Sequence, residues 1–308
     1  MIEEVEKLNV GKIKTNVSMK EYTTYKTGGI VRYMIFPSSI EELITLITFI
    51  KTKNIKYKVI GNGSNLIFTD EYYDGIIIKL ENMRSLHIHG KEIKVEAGYS
   101  LMRLSLKLSM SGYTGREFAS GIPGTVGGAI YMNAGAYKND MGYVVKKVKV
   151  LTPDLEIKEI ENKNLYFHYR TSFFKTHPGY IILEGTFYLE YGDREESLSM
   201  IQERKLRRMQ TQPLEYPSAG SVFRNPEGDA AGRLIEEAGM KGYKIGGAMV
   251  SEKHANFIVN MGNATSADIE KLIMEIKKQI KEKYDIDLKE EQEYVRWLYE
   301  KEKGKNKI

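Results

Sequence analysis

Lys56-Tyr57-Lys58-Val59-Ile60-Gly61-Asn62-Gly63-Ser64-Asn65-Leu66-Ile67-Phe68 is the stretch on which the fold turns. Its first five residues read as a strand. The glycines that follow permit positive φ and close backbone approach, so successive N–H groups can cradle a pyrophosphate. Leu66-Ile67-Phe68 comes next, apolar and strand-like rather than helical. The dinucleotide-binding fingerprint of a doubly wound sheet needs a helix N-terminus behind the phosphates. That fold is excluded here.

Outward from this stretch, helical and strand periodicities alternate. Residues 39–54 form the first clear helix: Ser38 and Ser39 each stand three positions before a glutamate, a capping-box signal. Ile40, Leu43, Ile44, Ile47 and Ile50 then recur at helical spacing. Strands are expected at 31–36 and 75–80, and a second helix at 100–110. Residues 92–97 and 144–160 alternate as strands do, the latter turning at Thr152-Pro153-Asp154. Residues 180–191 read as one more strand, and the polar helical stretch 194–210 as a hinge. Beyond Gln212-Pro213 come another Gly, Ser and Asn cluster, a short helix at 229–238 with Gly239 at its C-cap, and a strand at 257–260. The last long helix starts near Ser266 and carries Ile269, Leu272, Ile273, Ile276 and Ile280 on one face. With no regular βαβ count the class is α+β. The expected division is 1–205 and 206–308.

Composition narrows the function classes. The 308 residues fit two or three domains, and 42% hydrophobic with 28% charged residues supports a packed core. The longest apolar run, Leu43 to Ile50, is interrupted by Thr45 and Thr48 and falls far short of the roughly 20 residues of a membrane span. The start, Met1 to Lys7, is charged with no apolar run behind it, so a secretory leader is not expected and a cytoplasmic location is. Cysteine is absent, which rules out disulfides, thiolate metal sites and cysteine nucleophiles. The net charge of +5 comes from scattered lysines and the Lys-rich stretch Lys301 to Lys307, read as a solvated tail. No basic stripe interleaved with aromatics suggests nucleic acid. His87 and His89 are two apart on a strand without a third ligand, so no metal is expected. A monomer is expected.

Two further glycine-rich stretches ask for a reason: Thr27-Gly28-Gly29 and Gly121-Ile122-Pro123-Gly124-Thr125-Val126-Gly127-Gly128-Ala129. Any one of these loops alone is as readily a turn as a cradle. The last, with four glycines in eight residues, carries an entropic cost on ordering that ligand-binding loops commonly bear.

Tyr25-Lys26-Thr27-Gly28-Gly29, Gly61 to Leu66, Ala119 to Ala129 and Met132-Asn133-Ala134-Gly135-Ala136-Tyr137 resemble the UDP-N-acetylenolpyruvoylglucosamine reductases (UDP-N-acetylmuramate dehydrogenases). So do Tyr169-Arg170-Thr171-Ser172-Phe173, Ala219-Gly220-Ser221-Val222-Phe223-Arg224-Asn225-Pro226 and His254 to Asn260, all in that family's order over about residues 20–295. The short stretch 238–251 is similar to the compact type II form. The resemblance implies an FAD-binding domain of the vanillyl-alcohol-oxidase (PCMH) type over 1–205, in two subdomains splitting near 95. A smaller α+β substrate domain would occupy 206–308. It implies NADPH as hydride donor, non-covalent FAD, and reduction of UDP-N-acetylglucosamine enolpyruvate during peptidoglycan precursor synthesis. The FAD would be held by Gly61, Asn62, Gly63, Ser64, Asn65, Ser120, Gly121, Ile122, Pro123, Gly124, Gly127, Gly128 and Ala129.

Reducing a double bond conjugated to a carboxylate leaves an enolate to be stabilised and protonated. That chemistry asks for a fork-shaped cation on the carboxylate, an acid facing the α-carbon, and hydrogen-bond donors to the developing charge. By residue type alone Arg170 is a surface arginine lying over aromatics; the intact Tyr-Arg-x-Ser pattern gives it the carboxylate. Tyr166, Phe167, Tyr169 and Phe173 are expected to exclude water around it. Ser221 is otherwise an ordinary turn serine beside Gly220; the resemblance makes it the proton donor and makes Asn225 a substrate contact. The family's carboxyl falls in Leu-x-x-Glu-Val-Arg, whereas this chain reads Leu288-Lys289-Glu290-Glu291-Gln292-Glu293-Tyr294-Val295-Arg296. Counting from Leu288 gives Glu291, with Gln292 in the valine position; a shifted register gives Glu293. Such a charge run is otherwise a solvated face.

Two other functions fit the residues: an FAD-dependent oxidase of another sugar or alcohol on the same fold, and a non-catalytic nucleotide-sugar binding protein. Arg170 and Ser221 speak against the second.

Overall fold

The computed structural model describes residues 2–296; Lys301 to Lys307 lie outside them. The chain forms two compact units. The first comprises residues up to 14, 33–62 and 75–206. The second comprises 15–32, 63–74 and, among the described residues, 207–296.

In the first unit the predicted helix is Ile40–Thr52. Its start is fixed as its sequence requires: Ser39 Oγ accepts the Glu42 N–H at 3.2 Å, and the Ser38 N–H donates to the Glu42 carboxylate at 2.7 Å. Leu43, Leu46, Ile47 and Ile50 are buried in one core with Ile35, Ile76 and Ile78. These last belong to a four-stranded sheet ordered Lys12–Ser18, Ile30–Phe36, Tyr73–Lys79, Tyr57–Ile60. A five-stranded antiparallel sheet follows, ordered Ile157–Glu161, Val145–Leu151, Ile181–Tyr188, Glu92–Glu96, Leu86–His89. The helix expected at 100–110 is Leu101–Met110, with Ser100 as its cap rather than its first residue, and it buries Leu101, Leu104 and Leu108.

One buried residue opposes this packing. Arg116 is 1% exposed, and among the described residues none of its three side-chain nitrogens has a hydrogen-bond partner. Its guanidinium lies over the Phe187 ring, 4.0 Å from the centroid. Burial pushes its pKa down to about 9, with Glu117 opposing the shift. The folded chain thus holds this proton less tightly than the unfolded one, and the penalty is felt in full below about pH 9. Arg116→Met, of comparable length and apolar, is expected to stabilise the fold by about 1–4 kcal/mol at neutral pH. A thermal melt tests this; a lowered midpoint would mean that the guanidinium contributes more than it costs.

The second unit is assembled from segments far apart in sequence. Strand Leu66–Phe68 pairs in parallel with Glu293–Val295, and the Thr69 N–H donates to the Val295 carbonyl at 2.9 Å. An antiparallel sheet of Lys244–Ile245, Ala248–Val250 and Ile258–Asn260 shares a core with helix Ser266–Tyr284. That helix buries Ile269, Leu272, Ile273, Ile276 and Ile280, the face read from its periodicity. Thr265 and Asp268 form its capping box. Asp70 adds a second carboxylate, accepting the N–H groups of Ser266 at 3.0 Å and Ala267 at 2.9 Å. Residues 15–32 and 63–74 are tied to the C-terminal part through such bonds. No helix among the described residues is long and apolar enough to cross a membrane.

Candidate active site

In the first unit two of the glycine stretches meet, Gly61-Asn62 and residues 121–129, whereas Gly28 and Gly29 belong to the second unit, against Phe68 and Asp70. A Cβ on Gly61 would stand 2.7 Å from Thr125 Oγ1, so side-chain-free backbone is what allows the contact. Asn62 Nδ2 donates to the Pro123 carbonyl at 3.2 Å. Thr125 then starts a helix, Val126–Met132, accepting the Gly128 N–H at 3.2 Å. Gly127 lies against Ala97, whose Cβ would be 2.9 Å from an added one. Buried Lys79 donates from Nζ to the Gly61 carbonyl at 2.9 Å, placing a cation behind the loop. Burial lowers its pKa, opposed by Glu81. A glycine-walled backbone with a cation beneath it suits the pyrophosphate of a flavin dinucleotide. Ser120 Oγ is turned to the Glu117 carbonyl at 2.8 Å, and the Ala129 side chain is buried.

The end of the same short helix anchors the turn that bears the candidate carboxylate binder. Asn133 closes it in the left-handed conformation, φ +44°. Its buried side chain donates to the His168 carbonyl at 2.9 Å and accepts the Gly142 N–H at 2.9 Å. Ser172 Oγ donates to the Tyr131 carbonyl at 2.6 Å. Arg170 sits in the turn between, itself at φ +55°, a strained setting for a non-glycine residue. One guanidinium nitrogen donates to the Gly135 carbonyl at 2.9 Å, and the group lies 5.0 Å from the centroid of the Tyr169 ring. The expected aromatic screen is only partial. Tyr166 and Tyr169 are 59% and 52% exposed, because the tight turn directs them outward, while Phe167 and Phe173 are partly buried.

The second unit holds the other candidates. Gly63, at φ +65°, lets the loop pass the Tyr22 carbonyl, which would be 2.2 Å from an added Cβ. Asn65 Nδ2 donates to the Glu291 carbonyl at 3.1 Å, and its own carbonyl accepts the Glu293 N–H at 3.0 Å. The Glu291 N–H donates to the Val222 carbonyl at 2.8 Å, which sets Glu291 beside the residue following Ser221. Within this unit Asn65, Ser221 and Glu291 are brought together. Asn225 is placed differently: its Oδ1 accepts the Ala231 N–H at 3.1 Å, at the start of helix Ala231–Glu237. Glu290 is paired with Lys277 at 2.8 Å.

The residues that hold this geometry were not singled out from the sequence. Asn133 fixes the Arg170 turn. Asn256 does the same for the Ser221 segment, accepting the Phe223 N–H at 3.0 Å and donating to its carbonyl at 2.8 Å. Gln292 and Tyr25 are bonded to each other. Asn133 and Asn256 stand inside the recognised motifs, where a buried asparagine beside glycine or an aromatic is a usable signal. Gln292 gave only the signal of an irregular motif.

Two family models match the chain. One is the C-terminal domain of UDP-N-acetylenolpyruvoylglucosamine reductase, over residues 212–295; the other is an FAD binding domain, over 31–161. The UDP-N-acetylenolpyruvoylglucosamine reductase of Bacillus licheniformis is 44% identical over 296 residues, 96% of this chain and 98% of that protein. The Bacillus subtilis protein of the same name is 44% identical over 297 residues, with the same coverage of 96% and 98%. The crystal structure of UDP-N-acetylenolpyruvylglucosamine reductase from Thermus caldophilus superposes with a TM-score of 0.79 at 33% identity. It covers 92% of this chain and 99% of that one.

Proposed function

Because the chain belongs to the UDP-N-acetylenolpyruvoylglucosamine reductase family, we propose that it reduces UDP-N-acetylglucosamine enolpyruvate to UDP-N-acetylmuramate, a cytoplasmic step toward peptidoglycan. NADPH is the hydride donor in this reading, residues 1–205 bind FAD, and 206–308 bind the UDP-sugar. FAD, when bound, relays the hydride. The observation that carries the reading is the helix Val126–Met132: its start abuts the Gly61 loop, and its end, through Asn133, holds the turn that bears Arg170.

The roles of this chain's residues follow from charge. Arg170 forks onto the substrate carboxylate, and its bond to Gly135 fixes the orientation of the fork. Ser221 delivers a proton from Oγ to the α-carbon. A hydroxyl is a weak acid, but an enolate is a strong enough base to take its proton. Glu291 braces the enolate oxygen as a hydrogen-bond donor, and Asn225 contacts the sugar through the amide nitrogen that its helix-starting bond leaves uncommitted. The backbone of Gly61 to Asn65 and of Ser120 to Gly128 holds the FAD.

The protein is expected to purify yellow. Anaerobic NADPH should bleach the flavin, and the enolpyruvyl UDP-sugar should restore its colour. Peroxide formation from a reduced sugar, with no response to NADPH, would instead identify an oxidase. The glycine loops contain neither cysteine nor histidine to which a flavin could be attached. Acid precipitation should therefore leave the colour in the supernatant; a yellow pellet would contradict non-covalent binding.

A further inference from the structure

Gln292 is 4% exposed and Tyr25 is fully buried, and their side chains are bonded across 267 positions of sequence. The Tyr25 hydroxyl donates to Gln292 Oε1 at 3.0 Å. Gln292 Nε2 donates to the carbonyls of Ala219, at 3.1 Å, and Gly220, at 3.4 Å. The Tyr25 carbonyl in turn accepts from Asn260 Nδ2 at 2.8 Å. The direction of each bond is forced. Backbone carbonyls only accept, so the amide nitrogen must face Ala219 and Gly220, and the amide oxygen must then take the phenol proton. Burial raises the Tyr25 pKa, so the phenol remains a donor throughout the working range.

Ala219 and Gly220 are the two residues before Ser221. Gly220 lies at φ +74° with open space where a Cβ would be, so it has no packed side chain of its own to hold its peptide planes. Buried amide bonds hold them instead. We infer that Gln292, braced by Tyr25, is a positioning residue that aims the Ser221 hydroxyl and so governs the protonation half of the reaction. The inference rests on the proposed role of Ser221. Gln292 touches no reacting atom; it acts through the Ala219 and Gly220 carbonyls.

The test is anaerobic stopped-flow on the holoenzyme, with flavin reduction by NADPH and reoxidation by the enolpyruvyl UDP-sugar measured separately. Gln292→Val should leave reduction within about twofold and slow reoxidation about 10- to 100-fold, a part of what a positioned acid supplies. Adding Gln292→Val to Ser221→Ala should slow reoxidation no further, since residues acting as one unit are non-additive. Tyr25→Phe keeps the packing, removes one hydroxyl and should slow the same half-reaction, by about 3- to 10-fold, as the weaker brace. Gln292→Glu should introduce a new pH dependence, with reoxidation recovering as pH falls, because only the protonated acid can donate to a carbonyl. A merely structural role would move flavin reduction and reoxidation together along that profile, whereas positioning moves reoxidation alone. Parental reoxidation in Gln292→Val while Ser221→Ala is slow would overturn the positioning role and leave Ser221 in place. Multiplicative slowing in the double variant would overturn it equally. Parental reoxidation in Ser221→Ala would overturn the Ser221 assignment itself.

Discussion

Ser221→Ala is expected to leave flavin bleaching by NADPH near the parental rate and to slow reoxidation by the enolpyruvyl substrate by roughly two to four powers of ten. The asymmetry is the informative part. Delivery of hydride to the flavin requires no acid at position 221, whereas collapse of the enolate requires a proton at the α-carbon. The hydroxyl is the only group the substitution removes, and the segment keeps its backbone bonds from Val222 to Asn256, at 2.9 Å, and from Glu291 to Val222. Equal slowing of both halves would make Ser221 structural, a shaper of the pocket rather than an acid.

Glu291→Gln should likewise spare flavin reduction and slow reoxidation, by up to about 10²-fold, because an acidic O–H donor to the developing oxyanion is replaced by a weaker N–H donor. A carboxylate would repel an enolate, so Glu291 serves it only when carrying a proton, as neutral carboxyl donors do elsewhere. A carboxamide is a far weaker donor of that proton. Glu290→Gln and Glu293→Gln provide the controls. Glu290 is engaged by Lys277, and Glu293 begins the strand paired with Leu66–Phe68, so both should stay near the parent. If Glu293→Gln is the crippled variant, the motif register runs two residues further along than counting from Leu288 gives.

Where local chemistry decides structure, it was legible. Ser39 caps the helix it precedes, and the isoleucine face of Ser266–Tyr284 is the buried face. The helix Val126–Met132 was not legible, because Gly127 and Gly128 are poor helix formers. Tertiary contact overrides propensity there: a side chain at Gly127 would strike Ala97. The run from Leu288 to Arg296 reads as solvated charge, yet Leu288, Gln292 and Val295 are buried. Their partners lie at the other end of the sequence, with Asn65 and Glu291 bonded across 226 positions, and no window of periodicity reports such a pairing. Among the proposed site residues, Arg170, Ser221 and Glu291 are assigned by motif. The amides that hold them, Asn133, Asn256 and Gln292, act through backbone carbonyls and N–H groups that residue type alone does not reveal.

The pairing of Leu66–Phe68 with Glu293–Val295 also orders events during synthesis. A ribosome emits residues 15–32 and 63–74 early, while the strand and the helix that complete their unit are still untranslated. Until those follow, Ile67 and Tyr25 have no core to enter, and the Leu66–Phe68 backbone lacks this strand partner. Loop closure over such a separation is slow and leaves a hydrophobic edge exposed meanwhile. The nascent chain therefore carries the second unit half-made through most of its translation.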